Sequence, residues 1–367
     1  MSQIVAATRK ADVIVAGAGI AGASLAARLA GNARVLILEM ETHPGYHATG
    51  RSSANYEPTY GPPVIRQLTL ASGAFFRVPP DGFSEVRLLS PRGVVAVGGP
   101  DDDLRAAASI AAGYSRVDFA QAVARVPVLR EGAAHYLIDD SMMDIDVDAL
   151  LRGFLGQSKR GGGTLLTGAR LEAGQRIGGV WRIETSQGIC EAPILVDAAG
   201  AWADDLAKRC GVAPIGLIPK RRSACNVLPP AGFDIARWPQ IISLNDTFYA
   251  KPNAGKMMIS PADAVPSEPH DAFADDLALA EGIDAYQQAV VHEVTRIERS
   301  WGGLRTFAAD GDPVVGFDPI AEGFFWCAGQ GGYGIQTSPA LSEVAAAMLL
   351  GSVSPYGPQL SPARLGR

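Results

Sequence analysis

Asp12-Val13-Ile14-Val15-Ala16-Gly17-Ala18-Gly19-Ile20-Ala21-Gly22 opens the first structural unit of the chain and decides its fold. Residues 12–16 are rich in β-branched side chains and read as a buried strand. They run directly into a Gly-x-Gly-x-x-Gly loop, and the small, apolar run at 23–30 continues as a helix. Each glycine has a physical task. Gly17 permits the tight turn, Gly19 lets backbone approach a pyrophosphate, and Gly22 lets the helix lie close on the strands. The helix N-terminus offers unpaired N–H groups and partial positive charge to phosphates. Residues 34–38 form a second buried strand, closed by Glu39, whose carboxylate suits adenosine ribose hydroxyls and repels a 2′-phosphate. The unit predicts FAD or NAD rather than NADP.

Other segments choose between the two. Gly45-Tyr46-His47-Ala48-Thr49-Gly50-Arg51-Ser52-Ser53 is too rich in glycine and hydroxyls for a helix. Thr49, Gly50, Arg51 and Ser52 there make a second clamp for the pyrophosphate. Residues 194–198 read as a strand entering Ala199-Gly200-Ala201-Trp202 and a helix that reaches Arg209. Residues 324–328 read as another, entering Gly329-Gln330-Gly331-Gly332-Tyr333-Gly334 and a small-residue helix over 335–350. A helix N-terminus near a flavin ring would stabilise the negative charge of its reduced form. Three strand–loop–helix units spread along the chain therefore favour FAD.

Composition sets the frame. A length of 367 residues suits two domains, and 47% hydrophobic with 19% charged residues suits a packed enzyme. A net charge of −6, with Lys220-Arg221-Arg222 as the longest basic cluster, argues against nucleic acid as a partner. Cys190, Cys210, Cys225 and Cys327 show no metal spacing, and neither do the five histidines, so no metal is expected. Residues 11–30 contain Asp12 and Arg28 and are better read as strand and helix than as a membrane span. A cytoplasmic chain, with loose peripheral membrane association as an option, follows.

Helices are predicted at 64–76 and 144–156, the latter with Asp146 or Asp148 in its first turn. Residues 164–166, 179–183 and 190–192 read as strands of a small sheet. From 213 to 297 the pattern changes to strands at 220–228, 240–243, 247–251 and 256–260, then a helical stretch over 273–292. An FAD-binding domain over 1–85, 145–212 and 298–367 and a substrate-binding domain over 86–144 and 213–297 result. Arg222 and Arg305 stand among apolar and glycine residues, each either paired internally or free for an anion such as a substrate carboxylate. Tyr249 and Tyr60 could add phenolic donors.

At these residues the chain resembles the D-amino acid oxidase superfamily of FAD enzymes, most closely the D-arginine dehydrogenase and related D-amino acid dehydrogenase branch. The likeness rests on residues 17–24, 44–47, 49–52, 88–92, 219–224, 248–249, 301–312 and 331–337. It implies an α/β, Rossmann-like FAD-binding domain of glutathione-reductase type. A second, α+β substrate-binding domain with a mixed or antiparallel sheet would lie over the flavin. It also implies non-covalent FAD, since no cysteine stands near Thr306 or Phe307. Cofactor contacts carried by the likeness are Ile20, Ala21, Met40, Ala199, Gly200, Trp202, Gly303, Arg305, Gly331, Gly332, Tyr333, Gly334, Ile335, Gln336 and Thr337. Tyr60, Arg222, Tyr249 and Arg305 would hold the substrate carboxylate, Gly332 O would receive the amine, and Gln336 would line the pocket.

The implied reaction is oxidative deamination of a D-amino acid, with hydride transfer from the α-carbon to flavin N5. Oxygen or a quinone would be the acceptor, and oligomeric state stays open. The side-chain pocket falls on Asn55, Glu57, Val94, Gln240, Ile242 and Asp246. Val94 stands where the likeness places a guanidinium-binding glutamate, which predicts neutral rather than cationic side chains. The alternatives are an enzyme of N-methyl amino acids, glycine, sarcosine, proline-like imino acids or a 2-hydroxy acid, and a non-catalytic FAD-binding subunit.

Overall fold

The strand Val13–Ala16 is buried along its whole length because it lies mid-sheet, with neighbours on both edges and both faces. The computed structural model describes residues 8–366; the ends 1–7 and 367 of the two outer spans of the expected FAD-binding domain fall outside them. Six strands run in the order Thr164–Leu166, Val35–Leu38, Val13–Ala16, Ile194–Asp197, Phe324–Ala328, Val314–Phe317. The first five pair parallel and the last antiparallel.

The two-residue period of a strand sorts the side chains. Val13, Val15, Ile37, Val196 and Phe325 pack with Leu25, Leu68 and Val344 from helices on one face. Ile14, Leu36, Leu195 and Trp326 face the other way, onto Leu171, Trp181 and Ile183 of a four-stranded sheet. Helix, sheet and sheet thus form three layers. Thr164–Leu166 corrects the sequence reading, because it extends the parallel sheet rather than the small one. The preceding helix, Val147–Arg160, supplies the crossover that a parallel neighbour requires. That helix starts later than expected: Asp146 is its N-cap, accepting from Ala149 N at 2.9 Å, and Met143–Ile145 is a strand.

The second domain is built on a nine-stranded sheet. Ile218–Val227 pairs with Lys256–Ser260 and Val265–Pro266 on one edge and with Ile297–Phe307 on the other. From Lys256–Ser260 the sheet continues through Tyr249–Asn253, Gln240–Ser243, Val94–Gly98, His135–Asp139 and Ser115–Val117. It is mixed, since Gln240–Ser243 and Val94–Gly98 run parallel while the other pairs are antiparallel. Ile297–Phe307 was not foreseen as a strand, and it crosses the expected boundary at 298. Cys225, Val227, Ile241, Ala250, Met257 and Ile259 pack on Leu279 and Tyr286 of helix Asp276–Ala289. Alternation then turns Arg222, Ala224, Gln240, Ile242, Tyr249, Lys251 and Met258 to the opposite face.

Gly22 holds the first strand and helix together. A Cβ there would lie 2.0 Å from Gly17 O and 3.1 Å from Val15 Cγ1. Gly22→Ala must push the helix Ile20–Leu29 off the sheet, costing about 2–4 kcal/mol. A lower melting temperature and a reduced flavin-to-protein absorbance ratio are the expected results; wild-type values for both would contradict this packing.

Candidate active site

Two open cavities share walls at Gly19, Thr49, Arg51, Gly200 and Gly303. Both open at the C-terminal ends of the parallel strands, where α/β sheets place their ligands. The first is lined by Gly17, Glu39, Met40, Ala199 and Trp202. Glu39 is buried, with Oε2 accepting from Ala18 N at 2.8 Å and Oε1 from Glu41 N at 2.9 Å. Its carboxylate is thereby fixed in orientation and still borders the cavity. Gly17 has φ 108°, and a Cβ on it would meet Ala198 O at 2.4 Å, so only glycine fits. Helix Ile20–Leu29 has no side-chain cap from Gly19; instead Thr49 Oγ1 accepts from Ile20 N at 3.0 Å, leaving its own hydroxyl proton to donate.

The second cavity is bordered by Ile20, Ala21, Ser52 and Gly303, and by Arg222, Tyr249 and Arg305 from the large sheet. Gly331, Gly332, Gly334 and Ile335, at the start of helix Gly334–Leu349, close it. Arg222 stands opposite Gly303, and Lys220 opposite Arg305, in the antiparallel register. The two arginines are therefore diagonal neighbours on one face, and Gly303, which lacks a side chain, stands opposite Arg222. Arg221, the next residue, takes the nearby carboxylates of Asp263 and Asp275, whereas neither Arg222 nor Arg305 is ion-paired among the described residues, and Arg222 Nε is buried without a hydrogen-bond partner. Burial, then the neighbouring Arg305 charge, lowers the Arg222 pKa. Burial also works against the charge of Arg305, but the phenols of Tyr249 and Tyr60 outweigh it and hold its pKa above the ordinary value. Burial would raise the Tyr249 pKa; the two guanidiniums outweigh that and pull it down. A Cβ on Gly332 would sit 3.0 Å from Arg305 Nη1, so backbone approaches the guanidinium here.

The two cavities thus join glycine-lined turns to a pair of arginines without an ion-paired carboxylate among the described residues. A family model described as DAO, FAD dependent oxidoreductase, matches residues 12–348. The chain belongs to that family. Glycine oxidase of Bacillus licheniformis is 25% identical over 227 residues, 60% of this chain and 57% of that protein. Glycine oxidase of Geobacillus kaustophilus is 28% identical over 162 residues, 43% of this chain and 40% of that protein. The aligned part thus spans about half the length of these curated relatives. The Geobacillus kaustophilus glycine oxidase structure superposes with a TM-score of 0.82, at 21% identity, over 97% of this chain and 99% of that one. L-Proline dehydrogenase from P. horikoshii gives 0.83, at 18% identity, over 98% and 99%. These structures share the two-domain fold.

FAD fits this DAO-family groove: the fixed Glu39 carboxylate borders one cavity, the glycine cradle lies at the shared wall, and the arginine face closes the other. Three assignments change. Arg51 donates to Tyr46 O, Ala272 O, Gly302 O and the Asp271 carboxylate, so four of its five N–H groups brace protein rather than wait for phosphate. Thr337 is fully buried behind the cleft, its hydroxyl donating to Tyr333 O at 2.9 Å. Asp246 is exposed, in a left-handed turn (φ 58°) between two strands, away from the other pocket candidates.

The rest of the pocket set is connected. Asn55 Nδ2 donates to Gln240 Oε1 at 2.7 Å, and Glu57 N donates to Gln336 Oε1 at 3.1 Å. Val94 is buried with Tyr114, Leu137, Met142 and Leu244, and Ile242 packs on that group. Tyr60 meets Tyr333 edge to face at 5.1 Å. Sequence reasoning missed Tyr114, whose hydroxyl donates to Glu57 Oε1 at 3.2 Å, and Trp301, whose Nε1 donates to Arg51 O. It also missed Lys251, two residues along the strand from Tyr249 and so on the same face; the alternation rule was the available signal. All four cysteines are buried and free, no described cluster of His, Cys, Asp or Glu could hold a metal, and no described helix could cross a membrane.

Burial raises the Glu57 pKa to about 7 against the opposing Tyr114 hydrogen bond. A carboxyl raised on folding stabilises fully in acid and loses that contribution as pH rises through about 7. Between about pH 5 and 8 the wild type should lose up to about 3 kcal/mol that Glu57→Gln retains. Thermal melts of the two proteins should diverge with rising pH; parallel curves would refute the buried carboxyl.

Proposed function

We propose that this chain is an FAD-dependent oxidoreductase that dehydrogenates the C–N bond of a small α-amino or α-imino acid, held by its carboxylate. One observation carries the reading: Arg222 and Arg305 share a cleft face, and among the described residues neither is ion-paired with a carboxylate. A substrate carboxylate supplies the missing charge and can take two parallel hydrogen bonds from a guanidinium. Bound non-covalently, FAD supplies the two-electron acceptor for the α-hydrogen.

The chain's own residues do the rest. The arginines and Tyr249 fix one end of the substrate, so the arrangement at the α-carbon, and hence handedness, follows from anchoring. The Gly332 carbonyl is the acceptor offered to the amine. Two nearby positive charges favour the neutral amine, whose lone pair drives the α-hydrogen out as hydride, so no strong base is required.

Substrate size follows from the filled region around Val94. Tyr114, Met142 and Leu244 already pack on this residue, which supports a compact substrate over a long side chain. The names of the glycine oxidase relatives support the same direction. A D-amino acid with a neutral, mid-sized side chain is the second reading, favoured by the partly exposed apolar Ile242 on the face that carries Tyr249.

An anaerobic flavin-bleaching screen over glycine, sarcosine, proline and D- and L-alanine tests the class, with glycolate and glycinamide as controls. Bleaching by an amino or imino acid and none by glycinamide is expected. Bleaching by glycolate alone would overturn the C–N assignment. Ammonia, methylamine or a cyclic imine as product then separates the substrates. Arg305→Met should keep one FAD per chain and cut kcat/KM by about 2–5 kcal/mol, because a charged group is left unpaired. Wild-type kcat/KM in that variant would remove Arg305 from the site.

A further inference from the structure

Strand Ile297–Phe307 is an outer strand, paired with Ile218–Val227 alone among the described strands. Residues of an antiparallel pair turn their N–H and C=O groups alternately toward the partner and away from it. Hydrogen bonds outside the ladder fix which residues turn away. Thr306 O accepts from Gly331 N at 2.8 Å, and Gly302 O accepts from Arg51 Nη1 at 3.0 Å. Opposite them, Pro219 O accepts from Ser267 N at 3.0 Å and Ser223 N donates to Asp263 Oδ1 at 2.6 Å, both on the far side of their own strand. The register runs without a shift between these two pairs. Leu304, midway between Gly302 and Thr306, therefore also turns its N–H and C=O to the free edge.

Neither group has a hydrogen-bond partner among the described residues, although Leu304 is only 6% exposed. Buried backbone groups are seldom left so. Leu304 borders both cavities. Two residues along, on the same face, Thr306 is 5% exposed, borders the second cavity and has a buried Oγ1 without a partner. The edge thus offers a donor, an acceptor and a hydroxyl in a row. A phosphate oxygen only accepts, and it would face the Leu304 carbonyl oxygen with no proton between them. A hydroxyl both accepts and donates, so it satisfies either backbone group. FAD carries hydroxyls on its ribityl chain, the link between pyrophosphate and flavin ring. Leu304 stands on the wall between the cavity of Glu39 and the cavity of the arginines.

We propose that the free edge of strand Ile297–Phe307 is a cofactor-binding site, at which the Leu304 N–H and C=O hold hydroxyls of the FAD ribityl chain. The cofactor and Arg305 are then fixed to one and the same strand, one residue apart.

The test replaces Leu304 in the full chain by its α-hydroxy analogue, which exchanges the N–H for an ester oxygen and keeps the side chain. Ser300, which turns to the same edge where the strand is exposed and borders neither cavity, is replaced in the same way as the control. The readout is the rate at which the FAD-loaded proteins release FAD on dilution, followed by the fluorescence of free FAD. The Leu304 ester should release FAD about threefold to tenfold faster than the wild type, and the Ser300 ester at the wild-type rate. Wild-type release from the Leu304 ester overturns the proposal. So does equal acceleration in both esters, which would report a weakened ladder. Should the Leu304 ester fail to fold, a crystal structure of the wild-type chain with FAD decides. Ribityl oxygens within about 3.2 Å of Leu304 N and O support the site, and any other group in their place overturns it.

Discussion

Two guanidinium groups held on one face of a sheet, with no ion-paired carboxylate among the described residues, are the constraint around which the rest of this molecule is arranged. Such a pair is costly, because burial and mutual repulsion both disfavour charge. It persists because the backbone leaves little choice. Arg222 and Arg305 belong to strands paired along their whole length, so separating them means breaking the ladder. Gly303 leaves room opposite Arg222, and the Tyr249 ring lies 5.9 Å from the Arg222 guanidinium. What the pair lacks is an anion, and the cleft leaves space for one.

The rest of the fold sets what stands opposite that face. Five parallel strands form the core of the sheet, and the turns after two of them, Val13–Ala16 and Ile194–Asp197, bring Gly19 and Gly200 to the shared wall of both cavities. Arg51 braces the pyrophosphate loop against Ala272 and Gly302 of the large-sheet domain. Lys251 and Asp144 hold the next segment of chain. Both tie the stretch from Arg51 to Asn55 to the large-sheet domain by hydrogen bonds.

Much of this was legible in the residues. The first strand and loop could be read because every strand position is apolar and Gly17 and Gly22 admit no side chain. Lys256–Ser260 and Phe324–Ala328 fell where their apolar runs place them. Ile297–Phe307 was hidden because its first four residues are exposed and two glycines interrupt it; only pairing with a strand about 80 residues away makes it a strand. The roles of Arg51 and Thr337 were misread for a related reason. Asp271 lies 220 residues from Arg51, and no local pattern announces such a partner. Asp246 looked like a pocket acid, but a tight turn between two strands turns it to solvent. Local physics was readable; long-range pairing was not.

The most direct measurement is a crystal structure of the FAD-loaded chain soaked with propanoate. The account predicts a carboxylate with its oxygens within about 3 Å of both Arg222 and Arg305 guanidinium nitrogens and of the Tyr249 hydroxyl. A protein carboxylate turned inward to neutralise the two arginines, with propanoate elsewhere or absent, would contradict it.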